Sequence, residues 1–209
     1  MGGRDSWDDD RQGVRKLALK LRGLNLPMQV ETVENEKRKL AIQLIVAAFD
    51  VNQNGALSKQ EKADVRLVVY GQSFGGAAVV KLARQLRRID IPVLLTIQID
   101  SVGLNDRNIP SNVRRAANLY QSNGWFIRGQ SGVRAEDPEQ TEIVGNFQFD
   151  YKEKKIDTSG VHWFKKLFRV AHTKMGLDPD VWEKVEELIL EEVQGIGCGA
   201  GSRTRFLSP

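Results

Sequence analysis

Cysteine and histidine are nearly missing from this chain of 209 residues, which has one cysteine, Cys198, and two histidines. A single cysteine excludes a disulfide framework and a metal site built from several thiolates. No apolar run approaches the roughly 18 residues that a transmembrane helix needs, and the N-terminus has no secretory apolar region. These absences indicate a globular protein without a membrane span, with the cytoplasm as its default compartment.

A strong charge of one sign is also missing, because 31 basic residues against 27 acidic ones leave a net charge of only +4. The most basic segment, residues 81–88, fits a solvated helix face better than a nucleic-acid stripe, so we expect no nucleic-acid partner. The length suits one domain with a sizeable core. We expect that domain over residues 1–194 and a flexible Gly/Ser/Arg-rich tail over residues 195–209.

Apolar periodicity predicts helices and strands in alternation, which indicates an α/β fold with a mostly parallel sheet flanked by helices. The predicted helices cover residues 11–21, 36–49, 77–86, 109–120, 161–170 and 179–193, the last capped by Asp178. The predicted strands cover residues 28–33, 65–70, 92–99, 125–128 and 143–151.

The most informative pattern is G-x-S-x-G at residues 71–75, which lies between a predicted strand and a predicted helix. This context is typical of a nucleophile elbow, a sharp turn that holds a serine hydroxyl above the sheet. Gly71 and Gly75 allow the strand and helix to approach each other closely. The pattern therefore predicts Ser73 as a nucleophile; the alternative is a glycine-rich turn with an incidental serine.

A serine nucleophile needs a histidine base and a carboxylate that orients the histidine, here in the chain order Ser, Asp or Glu, His. Both histidines follow Ser73. His172 precedes a loop-like stretch between two helices, whereas His162 lies beside Trp163 and Phe164 in an amphipathic segment. We therefore predict His172 as the base and His162 as structural.

The predicted acid is Asp100, which stands immediately after the apolar strand at residues 92–99. The carboxyl ends of parallel strands are where α/β folds assemble their sites. Asp106 lies deeper in a loop and Asp90 precedes the strand, so both are weaker candidates. The alternative for Asp100 is an Asx turn that closes the strand.

Several segments resemble a group of uncharacterised bacterial α/β-hydrolase-like proteins of the serine esterase or lipase type. The resemblance covers most of residues 4–190, and the similar segments are residues 70–78, 99–102, 109–113 and 116–120, and His172 with residues 178–182. The resemblance implies an α/β-hydrolase-like fold with Ser73 as nucleophile, Asp100 as acid and His172 as base. It names no substrate, because this fold carries many chemistries.

A negative charge forms on the substrate oxygen during acyl transfer and needs N–H donors. We predict that one donor is the backbone N–H of Phe74, which follows the nucleophile. The other is the N–H of Gly3, which belongs to a Gly-Gly pair. In this fold the strand before the oxyanion loop lies beside the elbow strand, and here it would have to precede Met1. We therefore expect the sequence to be N-terminally truncated, in which case a lost leader would allow secretion.

A second motif occupies residues 50–61, which match the EF-hand calcium loop at every required position. Asp50, Asn52 and Asn54 supply side-chain oxygens, Ala56 a carbonyl, and Glu61 the final carboxylate. The alternative is an Asn/Gly-rich connector between a helix and a strand. We expect any calcium here to be structural, with no cofactor for catalysis.

The sequence thus predicts a serine hydrolase that cleaves a small ester or thioester through an acyl-enzyme. The alternative is a non-catalytic, calcium-stabilised binding protein on a hydrolase scaffold. Residues 105–158 would shape the acyl pocket or lid. Their aromatic residues either line that pocket or belong to the core, and we favour the core: Trp125, Phe126, Phe147 and Phe149.

Overall fold

The computed structural model describes residues 13–123, 129–158 and 170–199. Its helices are α1 (Gly13–Gly23), α2 (Arg38–Phe49), α3 (Lys59–Ala63), α4 (Phe74–Arg87), α5 (Val170–Leu177) and α6 (Pro179–Gly199). Its strands are β1 (Val68–Gln72), β2 (Val93–Ile99), β3 (Asn108–Ile109), β4 (Val113–Gln121), β5 (Arg134–Ala135) and β6 (Glu142–Phe149). None of these helices is long and apolar enough to cross a membrane.

Four of the strands form one parallel sheet in the order β1-β2-β4-β6. β1 and β2 are in register so that Gln72 lies beside Ile99. The residue that follows each strand, Ser73 after β1 and Asp100 after β2, therefore emerges at the same edge of the sheet. Within the described residues no strand pairs with the other side of β1, which lies at the end of the sheet.

Helices cover both faces of this sheet, as expected for parallel strands that are buried on both sides. On one face, side chains of α1, α5 and α6 pack with Ile97, Ile99 and Leu119 of the sheet. On the other face, α2 and α4 pack with Val93 and Val113. The predicted α/β fold with a mostly parallel sheet flanked by helices is confirmed.

The predicted helix over residues 109–120 is wrong, because this segment contains β4. Proline and serine at its start and Ala116-Ala117 within it favour a helix locally. In the folded chain, however, β4 pairs with β2 on one side and β6 on the other, and its central residues are buried. Small side chains suit this position between two strands and two helix layers, so tertiary pairing overrides local propensity.

The predicted strand over residues 28–33 is also wrong, and this segment has no regular structure. The carbonyl of Val30 accepts hydrogen bonds from the Arg22 guanidinium instead of a neighbouring strand. α6 continues to Gly199, beyond the predicted start of the tail. The predicted strand at residues 125–128 and nearly all of the predicted helix at residues 161–170 lie outside the described residues.

Candidate active site

Ser73 lies in a strained turn between β1 and α4. Its backbone has φ 58° and ψ −125°, and α4 begins at the next residue, Phe74. Such angles cost a residue other than glycine about 1–3 kcal/mol, and they persist where the surrounding structure imposes them. A side chain at Gly71 would have its Cβ only 2.5 Å from the carbonyl oxygen of Gly75, so the close approach of strand and helix requires glycine there.

The three side chains predicted as nucleophile, base and acid meet at this turn. His172 Nε2 is 3.0 Å from Ser73 Oγ, and His172 Nδ1 is 2.6 Å from Asp100 Oδ2. Because an ionised carboxylate only accepts hydrogen bonds, Nδ1–H donates to Asp100 and Nε2 is left to accept the serine proton. Both distances lie within the range required for proton transfer and for orienting the base.

The acid is held from several directions. Asp100 is fully buried, and its backbone has φ 43°, in the left-handed region that aspartate adopts more readily than most residues other than glycine. Gln121, which is also fully buried at the end of β4, donates from Nε2 to Asp100 Oδ2 at 3.2 Å. The carboxylate oxygen that faces His172 therefore accepts two hydrogen bonds, which fix its direction.

Sequence reasoning missed Gln121, because the residues directly before it, 109–120, favour a helix locally. With β4 recognised as a strand, the usable signal is a polar residue at the carboxyl end of a buried parallel strand. Ser73, Asp100 and Gln121 follow or end three neighbouring strands of the sheet, β1, β2 and β4.

Gly129 is a second residue that sequence reasoning missed. A Cβ at this position would lie 2.0 Å from Asp100 Oδ1 and 2.7 Å from Asp100 Cα. The chain therefore passes directly against the acid, and only glycine leaves room for the carboxylate. The next residue, Gln130, donates its N–H to the carbonyl of Ser101, which holds the segment in place.

α5, the helix that carries His172, is fixed at its C-terminal end by Asp178. This buried carboxylate accepts hydrogen bonds from Tyr151 Oη and Lys154 Nζ, and from the backbone N–H of Asp180 at the start of α6. Burial, together with the neighbouring Asp178 carboxylate, raises the pKa of Tyr151, so this tyrosine stays a neutral donor. His172 itself lies inside the helix, not in the loop-like setting expected from the sequence.

The weaker candidates for the acid, Asp106 and Asp90, do not contact His172 in the structure. Asp106 accepts a hydrogen bond from the Ser101 hydroxyl at 2.6 Å and braces the loop after Asp100. Asp90 follows α4 at the amino end of β2, the opposite end from the Ser73 turn. His162 lies outside the described residues.

One of the two predicted oxyanion donors, Phe74, belongs to the residues that the structure describes. Phe74 is the first residue of α4, and the N–H groups of a first helical turn have no acceptor within their helix. This N–H lies next to the nucleophile at the positive end of the helix dipole, where it favours a developing negative charge. The second predicted donor, Gly3, lies outside the described residues.

The predicted calcium loop connects α2 to the short helix α3. Asp50 accepts from the N–H groups of Asn54 and Gly55, and Asn54 accepts from Ala56. At the other end, Glu61 accepts from the N–H groups of Val51 and Ser58. The hydrogen bonds from Ser58 are the largest cause that lowers the pKa of Glu61, so its carboxylate is ionised at neutral pH.

The donor set of this loop is made only of oxygen atoms, which is what Ca²⁺ prefers. In the part of the chain that the structure describes, no group of three or more His, Cys, Asp or Glu residues is arranged for a metal. A cation at residues 50–61 would therefore rely on two carboxylates, the amides of Asn52 and Asn54, and a backbone carbonyl. These ligand types are the ones that an EF-hand calcium loop uses.

Phe147 and Phe149, considered above as pocket or core residues, pack against the core on the face that carries α1 and α6. The other two aromatic residues, Trp125 and Phe126, lie outside the described residues.

No protein-family model matches the chain, and no curated protein is detectably similar to it in sequence.

Proposed function

We propose that this protein is a serine hydrolase that cleaves an ester or thioester through a covalent acyl-enzyme. Ser73 Oγ attacks the substrate carbonyl while His172 Nε2 takes the serine proton. The resulting oxyanion accepts a hydrogen bond from the N–H of Phe74. His172 then gives its proton to the departing alcohol or thiol, which leaves an acyl ester on Ser73.

The second half of the reaction uses the same groups in reverse roles. His172 Nε2 removes a proton from a water molecule, whose oxygen attacks the acyl ester. The tetrahedral intermediate collapses, Ser73 regains a proton from His172, and the carboxylic acid is released. Asp100 stabilises the imidazolium in both halves, and Gln121 and Gly129 keep its carboxylate pointed at Nδ1.

One observation carries the proposal. A hydroxyl, an imidazole and a carboxylate from three separate elements form a continuous hydrogen-bonded chain, although Ser73 and His172 are 99 positions apart in the sequence and Asp100 and His172 are 72 positions apart. Ser73 also has a strained backbone, with φ 58° and ψ −125°. Strain of this kind is typical of active sites, where the surrounding structure holds a reactive group in one position.

Hydrolysis of p-nitrophenyl esters of graded acyl length tests the proposal. We expect release of p-nitrophenol by the native protein, with an initial burst if deacylation is slow. Ser73→Ala should abolish it. The matched control is Ser111→Ala, a serine at the opposite end of the sheet, before β4, which should leave the rate unchanged. No turnover of any ester by folded native protein would favour the alternative, a binding protein that retains the hydrolase scaffold.

We also propose that Ca²⁺ binds at residues 50–61 as a structural ion. Asp50, Asn52, Asn54, Ala56 and Glu61 would hold it, and its charge would rigidify the connection from α2 into β1. It takes no part in the acyl-transfer steps. This second proposal is supported by the folded loop between two helices, with Gly55 at φ 85° in the turn that the motif requires.

A further inference from the structure

A pocket of about 290 Å³ opens beside the elbow, along the first two turns of α4. Phe74, Ala77, Ala78 and Lys81 line it from α4, where their spacing places them on one helix face. Leu104, from the loop after Asp100, lines the other side. Phe74 and Leu104 are 46% and 83% exposed, and they give the pocket an apolar surface that is open to solvent. An apolar lining with a few polar groups is typical of a ligand site.

The polar part of the pocket is cationic. Arg38, at the start of α2, and Lys81 both line it. The Arg38 guanidinium is oriented by a 2.7 Å hydrogen bond from Nη1 to the carbonyl of Asn35, and its buried Nε has no hydrogen-bond partner in the described chain.

No acidic side chain belongs to the described residues that line this pocket. Two acids flank Asn35 in the sequence: Glu34 is paired with Lys37 at 2.9 Å, and Glu36 is exposed and is not one of the lining residues. Arg38 and Lys81 therefore have no carboxylate partner among the described residues that line the pocket, and an anionic group of a ligand would be attracted to them.

We infer that the pocket selects esters that carry a carboxylate several bonds away from the carbonyl that is cleaved. The inference rests on the proposed hydrolase function and specifies its substrate class. Lys81 is seven residues after Phe74, which places its Cα about 10 Å further along the helix from the elbow. An aliphatic chain would lie on Phe74, Ala77 and Leu104, and its terminal carboxylate would meet Arg38 and Lys81.

The first test compares two esters of equal chain length, mono-p-nitrophenyl glutarate and p-nitrophenyl valerate. We expect kcat/KM to be about tenfold higher for the glutarate, the size expected when a charged group gains a hydrogen-bonded partner. Arg38→Gln and Lys81→Gln should each reduce this preference by lowering kcat/KM for the glutarate more than for the valerate. Arg88→Gln, the same charge change at the far end of α4, is the control. Equal rates for both esters, or an equal loss in the Arg88 variant, would overturn the inference.

Two further arms locate the anionic group. A series of dicarboxylate monoesters from succinate to suberate should show an optimum length. A 4-carboxyphenyl ester of valerate, which carries the charge on the leaving group, should show no advantage over the phenyl ester. If the leaving-group carboxylate were preferred instead, the assignment of the pocket to the acyl chain would be wrong.

A binding measurement separates failure of the pocket from failure of the hydrolase. Calorimetry on Ser73→Ala should detect monomethyl glutarate more strongly than methyl valerate, and Arg38→Gln should remove the difference. Binding of the anion by a native protein that hydrolyses no ester would retain the pocket and overturn the hydrolase. Ester hydrolysis by the native protein, without any difference in binding between the two ligands, would retain the hydrolase and overturn the anion-binding pocket.

Discussion

The Ser73 turn and the loop at residues 50–61 both match a sequence motif, but their polar side chains are satisfied in different ways. At the turn, Ser73 and Asp100 find their partner in His172, 99 and 72 residues away. In the loop, Asp50, Asn54 and Glu61 accept from backbone N–H groups at most ten residues away. Long-range convergence requires the whole fold, whereas short-range hydrogen bonds require only the loop itself.

The difference shows what each motif can support. A local turn rich in Asp, Asn and Gly makes such hydrogen bonds with or without a metal, so the calcium proposal rests on the spacing of the ligands and on the Gly55 turn, and not on these hydrogen bonds. No local rule brings an imidazole from α5 to a serine after β1. The Ser73 site therefore supports a stronger functional inference than the loop, and each prediction below tests one side of this contrast.

The largest effect is expected from the base. His172→Ala should lower kcat for a p-nitrophenyl ester by about 10⁶-fold, because members of a triad act as a unit. The chain offers a matched control in His162→Gln, its other histidine, which should retain the native rate. Steady-state kinetics checks both variants, with circular dichroism to confirm folding. A larger loss in the His162 variant would mean that the base was assigned to the wrong histidine.

Next comes the acid. Asp100→Asn keeps the size of the side chain but leaves no carboxylate to hold the Nδ1 proton, so kcat should fall by about 10⁴-fold. Asp106→Asn, in the loop after Asp100, should have a much smaller effect, since its partner is the Ser101 hydroxyl and not the imidazole. Equal losses in the two variants would contradict the assignment of Asp100.

Gly129→Ala tests whether the close packing of Gly129 against Asp100 is needed to position the acid. The added methyl group would lie 2.0 Å from Asp100 Oδ1, so either the carboxylate or the segment must shift. A displacement of about 1 Å at a catalytic group can cost on the order of 10²-fold, and we expect a loss of that size in kcat with little change in KM. Gly132→Ala, whose added Cβ would be 3.9 Å from its nearest neighbour, should behave as the native protein.

The smallest effect on catalysis is expected from the loop. Ca²⁺ should raise the melting temperature of the native protein by a few degrees, by mass action, and leave kcat unchanged. Glu61→Gln should abolish the shift, whereas Glu139→Gln, an exposed glutamate far along the chain, should preserve it. A shift that persists in the Glu61 variant would exclude the loop as the calcium site.

The same variant has a pH signature. Hydrogen bonds from Ser58 lower the pKa of Glu61 on folding, so the unfolded state binds its proton more readily. Stability from this group is fully present above the unfolded pKa and is lost as the pH falls through the lower folded pKa. The native protein should therefore lose its thermal advantage over Glu61→Gln as the pH falls through the acidic range below the usual glutamate pKa of about 4.3. Melting curves without calcium at pH 7 and at pH 3 check this.

Sequence patterns were sufficient for the layers of the fold and for the three side chains of the candidate site. The G-x-S-x-G turn follows a strand and precedes a helix, and Asp100 follows the next strand, so both were predictable from local order. The strand β4 was not predictable from local order, because Pro110 and the alanine pair favour a helix. Only pairing with the neighbouring strands makes this segment a strand. Gln121 was not predictable either, because its role depends on recognising β4 as a strand. Gly129 acts through its close approach to Asp100, and a contact between residues 29 positions apart leaves no local sequence pattern.

Reaction with a fluorophosphonate probe, followed by mass mapping of the modified peptide, tests the central claim most directly. The account predicts one adduct per chain, on Ser73, that is absent in Ser73→Ala and strongly reduced in His172→Ala. Folded native protein that stays unmodified, or an adduct on a different serine, would contradict it.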